Sequence, residues 1–392
     1  MSGKRICGLA LLASAFAHDV GAWQVTQDYR LRYESVSDDA FRDDSDALTL
    51  RGRLGLRTDA WRGFTAFAEA DIIVAADRNS YNSTINNERT RPIIPDPAGE
   101  EINQAYVAYG FGTPSQWILG RQRLNYDNQR FIGSVGFRQN EQTYDALSVQ
   151  HTAGAFTVRA AYVDEVHRIF GNYNPNPLFR QQDLDTYLIN LAYLYGGHQA
   201  VAYLYAIENQ DVPLSSHRNL GLRLSGPALS RDTWKWLYAV EAAQQDDIAR
   251  GSSDIDAGYY AIDNTLNFKD GAFALRVLFE RLGGNGRYGF QTPLATLHAF
   301  NGWADRFLTT PRDGLRDTMF EVSGKLGGGI LSARWHEFRS DRGDIDYGDE
   351  IGMQYVRPIG TQWTLTGKLA RYRADRFGTD LDKIWLTVDY RR

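Results

Sequence analysis

The sequence predicts an all-β transmembrane antiparallel barrel of about eighteen strands, and three observations predict it. Strand-length segments alternate between apolar and polar side chains, the connections between them alternate between short and long, and no segment reads as an apolar spanning helix. A mean hydropathy of −0.44, with 37 glycines, 22 tyrosines and 9 tryptophans among 392 residues, suits a wall in which only every second residue meets lipid. Length alone would allow two or three soluble domains of roughly 100–200 residues each, so composition and pattern decide the class.

The chain opens with Lys4 and Arg5, then an apolar run from Ile6 to Ala17, then small residues at Ala15 and Ala17 or at Val20 and Ala22. That is the layout of a cleavable secretory signal occupying residues 1–22, with cleavage after Ala17 or Ala22. The run is too short to cross a bilayer. Residues 23–392 then form one barrel domain. The single cysteine, Cys7, lies within the signal and has no lipobox around it, so the mature chain carries no thiol, as suits an oxidising compartment.

Alternation places strands near 24–35, 46–58, 64–75, 102–111, 116–124, 144–151, 155–164, 184–195 and 198–208. The second half continues near 218–226, 233–244, 256–269, 272–282, 315–327, 329–339, 347–357, 362–375 and 381–390. Short connections fall at 59–63, 152–155, 196–198, 269–271, 327–329 and 358–361, where turn-forming residues collect. Long polar stretches at 36–46, 76–101, 125–143, 165–183 and 283–314 separate them. Two classes of loop imply two sides: short periplasmic turns and long extracellular loops, the arrangement of a bacterial outer-membrane barrel.

One face of this wall is apolar and the other polar. Leu48, Leu50, Leu54 and Leu56 alternate with Thr49, Arg51, Arg53 and Arg57, and Leu331, Ala333 and Trp335 alternate with Ser332, Arg334 and His336. Trp61, Trp117, Trp234, Trp236 and Trp363 sit at the short-turn ends, where an aromatic girdle is expected. The last strand alternates through Ile384, Leu386, Val388 and Tyr390, the pattern of a barrel-insertion signal, although Arg391 and Arg392 follow the aromatic.

The formal charge of −5 becomes −6 once Lys4, Arg5 and Asp19 leave with the signal, which argues against a nucleic-acid partner. Charge is distributed unevenly, with 37 arginines against six lysines. Alternation points Arg30, Arg32, Arg51, Arg53, Arg57, Arg159, Arg223, Arg276, Lys325, Arg334 and Lys368 inward, against Glu34, Glu69, Asp71, Asp263, Glu280, Glu321 and Asp389. Eleven cations against seven acids predict a basic, arginine-rich lumen. Guanidinium groups suit carboxylates because their planar fork donates two parallel hydrogen bonds and stays charged. The competing role for each arginine is an ion pair that stiffens the wall. The loop 76–101, with Arg89, Arg91, Pro92, Pro95 and Pro97, is expected to fold inward as a constriction, since about 18 strands leave an aqueous channel that selectivity requires to be narrowed.

Signs of chemistry are weak. GNGRYG, Gly284 to Gly289, has the G-x-G-x-x-G spacing but no βαβ unit around it, so it reads as a loop. The histidines show no i, i+4 pair, Ser134 has no recognisable base, and the acidic stretches 36–46 and 341–346 lack calcium-loop grammar. No metal, cofactor or catalytic residue is therefore expected, and an outer-membrane enzyme or an adhesive barrel ranks third among the functions.

At residues 119–147 the chain reads LGRQRLNYDNQRFIGSVGFRQNEQTYDAL, and at 290–315 FQTPLATLHAFNGWADRFLTTPRDGL. These passages resemble the alginate-export family of outer-membrane porins, through Gly120, Arg121, Gln122, Arg123, Arg130, Phe131, Gly133, Arg138, Gln139, Gln142 and Asp145. The resemblance implies an eighteen-stranded outer-membrane barrel with an arginine-rich pore that exports an alginate-like anionic polysaccharide. A passive uptake porin for small anionic or aromatic nutrients is the alternative. The partners implied are outer-membrane lipid and lipopolysaccharide, the anionic polysaccharide or small anionic solute, and, for export, a periplasmic partner. The expected pore-lining or substrate-binding residues are Arg51, Arg53, Glu69, Asp71, Arg121, Arg123, Arg130, Arg138, Asp145, Arg223, Arg276 and Arg334, with Arg89 and Arg91 in the constriction loop. Arg121 shares strand parity with Trp117 and Leu119, so an inward Arg121 or Arg123 requires a bulge or a strand end.

Overall fold

A computed structural model describes residues 23–112, 114–269 and 271–392; the expected secretory signal lies outside them. Its wall consists of β1 (Trp23–Asp38), β2 (Ser45–Thr58), β3 (Phe64–Ala75), β4 (Gly99–Gly110), β5 (Gln116–Gln122), β6 (Thr143–Ala153), β7 (Phe156–His167), β8 (Gln181–Tyr195) and β9 (His198–Asn209). It continues with β10 (His217–Arg231), β11 (Trp234–Asp247), β12 (Asp256–Phe268), β13 (Phe273–Leu282), β14 (Leu315–Leu326), β15 (Gly329–Arg339), β16 (Asp346–Ile359), β17 (Trp363–Ala374) and β18 (Leu381–Arg391). Each strand pairs antiparallel with its neighbours in sequence, and β1 also pairs with β18, so Tyr33 faces Leu48 on one side and Leu386 on the other. Closure satisfies the main-chain groups of the wall without a free edge, which the hydrocarbon interior of a membrane demands.

The period-2 pattern sets which side chains meet lipid. Leu48, Leu50, Leu54 and Leu56 are 43–53% exposed on the outside, while Thr49, Arg51 and Arg53 between them are buried inside. Aromatic residues gather at the ends joined by short turns: Phe64 with Tyr109 and Trp117, Phe156 with Tyr193, Phe268 with Phe273, and Trp363 with Tyr390. These form the expected girdle, broader than tryptophan alone.

The long connections do more than cap the barrel. Those at 123–142 and 283–314 turn inward and fill the half nearest the long loops with a core of Phe131, Ile132, Phe290, Leu294, Trp303 and Phe307. Toward the short turns the inward side chains Arg57, Arg159, Arg223 and Arg276 are only half-buried and Lys325 is exposed.

Candidate functional site

Loop 123–142 crosses the interior because the wall offers partners on both sides. Arg30 Nη1 donates to the carbonyls of Gly136 and Phe137 at 2.9 and 3.1 Å, and Arg32 Nη1 donates to Phe137 at 2.6 Å. Toward the other side, Arg130 donates to Glu280 on β13 at 2.7 Å through Nε, to Thr292 at 3.0 Å and to Asn301 at 3.0 Å. Its neighbour Phe131 packs on Tyr203, Tyr259 and Phe290. A buried guanidinium survives only with its hydrogen bonds met, and Arg130 meets them by joining wall and both loops.

Loop 283–314 lies against the first. Glu350 of β16 accepts from the Ala304 amide at 3.0 Å and from the Trp303 amide at 2.5 Å. The approach needs glycine at 302, whose φ is +86° and where a Cβ would meet Glu350 at 2.3 Å. Asp305 accepts from Arg138 at 3.1 Å and from Lys383 at 3.0 Å, with His298 Nδ1 at 2.7 Å. Lys368 Nζ lies 2.7 Å from His298 Nε2, and a lysine ammonium has no acceptor, so Nε2 accepts and the proton sits on Nδ1, facing Asp305. Burial pushes His298 well below the ordinary imidazole range, in accord with that neutral ring. Burial would raise Asp305, but His298, Lys383 and Arg138 overcome it and hold the carboxyl well below its ordinary range. The Phe137 ring stacks on His298 at 3.6 Å, and Arg32 lies over its centroid at 4.3 Å.

Most of the expected arginines are inside and paired. Arg53 donates to both oxygens of Asp71 at 2.6 Å and meets Glu141 at 2.9 Å. Arg123 bridges Glu69, at 2.7 Å, and Glu141. Burial drives the Glu141 carboxyl up, yet Arg53 and Arg123 outweigh it and hold it at about 2. Arg138 pairs with Glu34 at 2.9 Å, Arg223 with Glu241 at 2.9 Å, Arg276 with Asp263 at 2.7 Å and Arg334 with Glu321 at 2.5 Å. Arg51 differs: it pairs with Asp28 through Nη2, but its Nε and Nη1 are buried with no acceptor.

Three expectations change. The interior is arginine-rich but not basic: Asp28, Asp38, Glu101, Glu241, Asp317 and Glu350 also point inward, against Lys383 as an added cation, which offsets the excess that alternation predicts for the wall. Arg121 and Asp145 face outward, not into the lumen. β5 ends at Gln122, so Arg123 turns inward beyond the strand end, while Arg121 keeps the outward parity of Leu119 and pairs with Asp145 across from exposed Leu147. Loop 76–101 enters the barrel by its two arms and not by its middle: Tyr81, Ser83, Ile94 and Asp96 are buried, the Tyr81 hydroxyl donates to the Asp96 carbonyl at 3.0 Å, and the Asp96 carboxylate accepts from the Gln139 amide at 2.9 Å. Arg91 donates to the Asp44 carbonyl at the rim and Arg89 is exposed, so neither narrows the channel, and loops 123–142 and 283–314 do.

Other candidate motifs resolve into structural roles. Ser134 Oγ donates to Asn125 at 2.9 Å. Ser115 Oγ does meet a histidine, His151 Nδ1 at 2.8 Å, but it also accepts from the Thr152 amide and ties one short turn to the next strand end. The acidic loops pair with arginines: Asp38 with Arg306, Asp341 with Arg281, Asp344 with Arg316. Reading for alternation passed over His298, Trp303, Asp305 and Lys383; three of them sit in the quoted 290–315 passage, but a loop has no period from which to infer a face.

Comparison with known proteins agrees with this architecture. The family profile described as "Alginate export" matches residues 23–277. The fold is similar to OccK9 (OpdG) of Pseudomonas aeruginosa, at 13% identity and a TM-score of 0.75 over 94% of this chain and 98% of that one. OccAB2 of Acinetobacter baumannii is similar at 13% identity and 0.74, again over 94% and 98%. OpdK of Pseudomonas aeruginosa, solved with vanillate, gives 14% and 0.70 over the same shares. No curated protein matches the sequence.

Proposed function

Because this chain belongs to the alginate-export family and forms a channel-type barrel of the bacterial outer membrane, we propose that it passes carboxylate-bearing anions, foremost an alginate-like polysaccharide leaving the cell. The observation that carries this reading is Arg51. It is fully buried beside Arg30 and Arg53, its cross-strand and same-face neighbours, and keeps two donor nitrogens, Nε and Nη1, without an acceptor. A buried donor left unmade costs about 1–3 kcal/mol, more when charged, so such a group suits a partner that comes and goes. A carboxylate oxygen can accept from either nitrogen as a charge-assisted hydrogen bond.

Passage then works by exchange. The interior carboxylates Glu141, Asp305 and Glu34 hold the arginines in the resting state, and cargo carboxylates replace them as loops 123–142 and 283–314 yield. A near-balanced wall favours this over a static attractive field. Outer-membrane lipid surrounds the wall, and a periplasmic partner would deliver cargo to the half-buried arginines at the short-turn end. The test is reconstitution in planar bilayers with uronate oligomers and neutral sugars of equal size. Selective block by the uronates, deepening with chain length, is expected; equal block by both sugars refutes the assignment.

A second reading, uptake of small anionic or aromatic nutrients, is favoured by how completely the two loops fill one half of the barrel. The similar fold of OpdK was solved with vanillate, an aromatic carboxylate. Block by monomeric acids as strong as that by oligomers would select it.

A further inference from the structure

On the outer wall a second charged cluster takes no part in the interior. Arg121, Asp145, Glu165 and His167 share the outward face at the long-loop ends of β5, β6 and β7, directly beyond the exposed apolar Leu119 and Leu147. His167 reaches that face because β7 is irregular between Val163 and Glu165, where the pairing shifts by one residue. Its Nε2 lies 3.1 Å from Asp145 Oδ2 and 2.7 Å from Glu165 Oε1, and one ligand atom from each of the three falls within 4.8 Å of the others. The carboxylates are themselves held in place. Arg121 donates to both oxygens of Asp145 at 2.9 and 3.0 Å, and Gln181 Nε2 donates to the far oxygen of Glu165 at 2.7 Å.

One imidazole nitrogen cannot give a single proton fully to two carboxylates, so the three atoms converge on a point better served by a cation. We propose that Asp145, Glu165 and His167 form a binding site for one divalent transition-metal ion. Metal–ligand bonds of about 2.0–2.2 Å place neighbouring ligands about 3 Å apart, which two edges of this triangle already show. A histidine with two carboxylates on one side leaves open positions on the other, and the imidazole favours zinc- or cobalt-class ions over magnesium and calcium. Arg121 and Gln181 are positioning residues: each carboxylate oxygen has two lone pairs, so both can keep their bonds while the metal takes the free ones. The metal replaces the His167 Nε2 proton, which passes to solvent, so affinity should fall on acidification. Helix-type spacing rules miss such a site because its ligands come from two strands brought together only by register.

The test uses the full barrel, untagged, in detergent, titrated with Zn2+ by calorimetry and with Co2+ by visible absorption. One equivalent of either ion should bind, with a Co2+ ligand-field band. Binding should weaken at least about tenfold in His167→Ala and in Glu165→Gln, weaken from about pH 8 to about pH 6, and resist excess Mg2+. Variants are compared only where the boiling-dependent gel shift shows a closed barrel. Failure of the unmodified protein to bind either ion overturns the proposal without reference to any variant, and so does His167→Ala binding as tightly as the parent.

Discussion

Replacing Arg130 with methionine tests whether loop 123–142 is locked to the wall by a buried charge. The guanidinium is 1% exposed and supplies hydrogen bonds to Glu280, Thr292 and Asn301. Without it Glu280 stays buried, with only the Tyr259 hydroxyl at 2.9 Å and the Asn301 amide at 2.6 Å to stabilise its charge. Breaking a buried pair by removing one partner costs about 3–5 kcal/mol, which would shift the docking of the loop by about 100-fold to a few thousand-fold. The eighteen-stranded wall does not depend on this pair, so the gel shift on boiling should persist. Single-channel conductance should rise, and protease should cut within 123–142 faster than in the parent. Removing the charge as well, in Arg130→Met with Glu280→Met, should restore most of the docking, because the unpaired carboxylate is then gone. An R130M barrel with parental conductance and an uncut loop would refute the lock.

Arg51→Gln should weaken block by uronates with little loss of stability, because its one partner Asp28 also meets Arg391, whereas Arg53→Gln should lower the melting temperature by stranding Asp71 and Glu141; equal effects of the two on block would contradict the distinction between an arginine with spare donors and one that is fully paired. Arg121→Gln should leave ion selectivity unchanged, because the side chain is on the outer wall, and a shift in reversal potential would place it in the lumen after all. Acid should loosen the loops. Glu141 sits at about 2 against an ordinary 4.5, so its contribution is complete above about 4.5 and is lost as the pH falls towards about 2. His298 is kept neutral below its ordinary 6.5, so acidification beneath that value favours the undocked loop, where the ring can protonate. Conductance should therefore climb as pH drops from about 6.5, and a flat profile down to about pH 3 would count against both groups. Deleting residues 80–98 should also raise conductance, through loss of the Asp96 support for Gln139 rather than loss of Arg89 or Arg91; an unchanged value would leave that loop outside the closure.

The fold was legible because a membrane leaves the chain few choices. Every main-chain group in hydrocarbon must find a partner within the protein, and a side-chain period of two then assigns each residue to lipid or to interior, as Leu54 and Arg53 show. All eighteen strands, their alternation of turn lengths and the inward direction of Arg51, Arg53, Glu69 and Asp71 follow from that local rule. Rules of this kind end where the strands end. Arg121 and Arg123 are two residues apart in one motif, and only the last residue of β5 decides that one faces lipid headgroups and the other Glu69. Loops have no period, so the sequence contained Arg130, His298 and Asp305 without indicating that they meet Glu280, Lys368 and Lys383 across the barrel. The charge of the interior was likewise a tertiary property. It depends on which acids the register brings opposite each arginine, and pairs such as Arg138 with Glu34, 104 residues apart, exist only once the barrel is closed and its loops are folded inside.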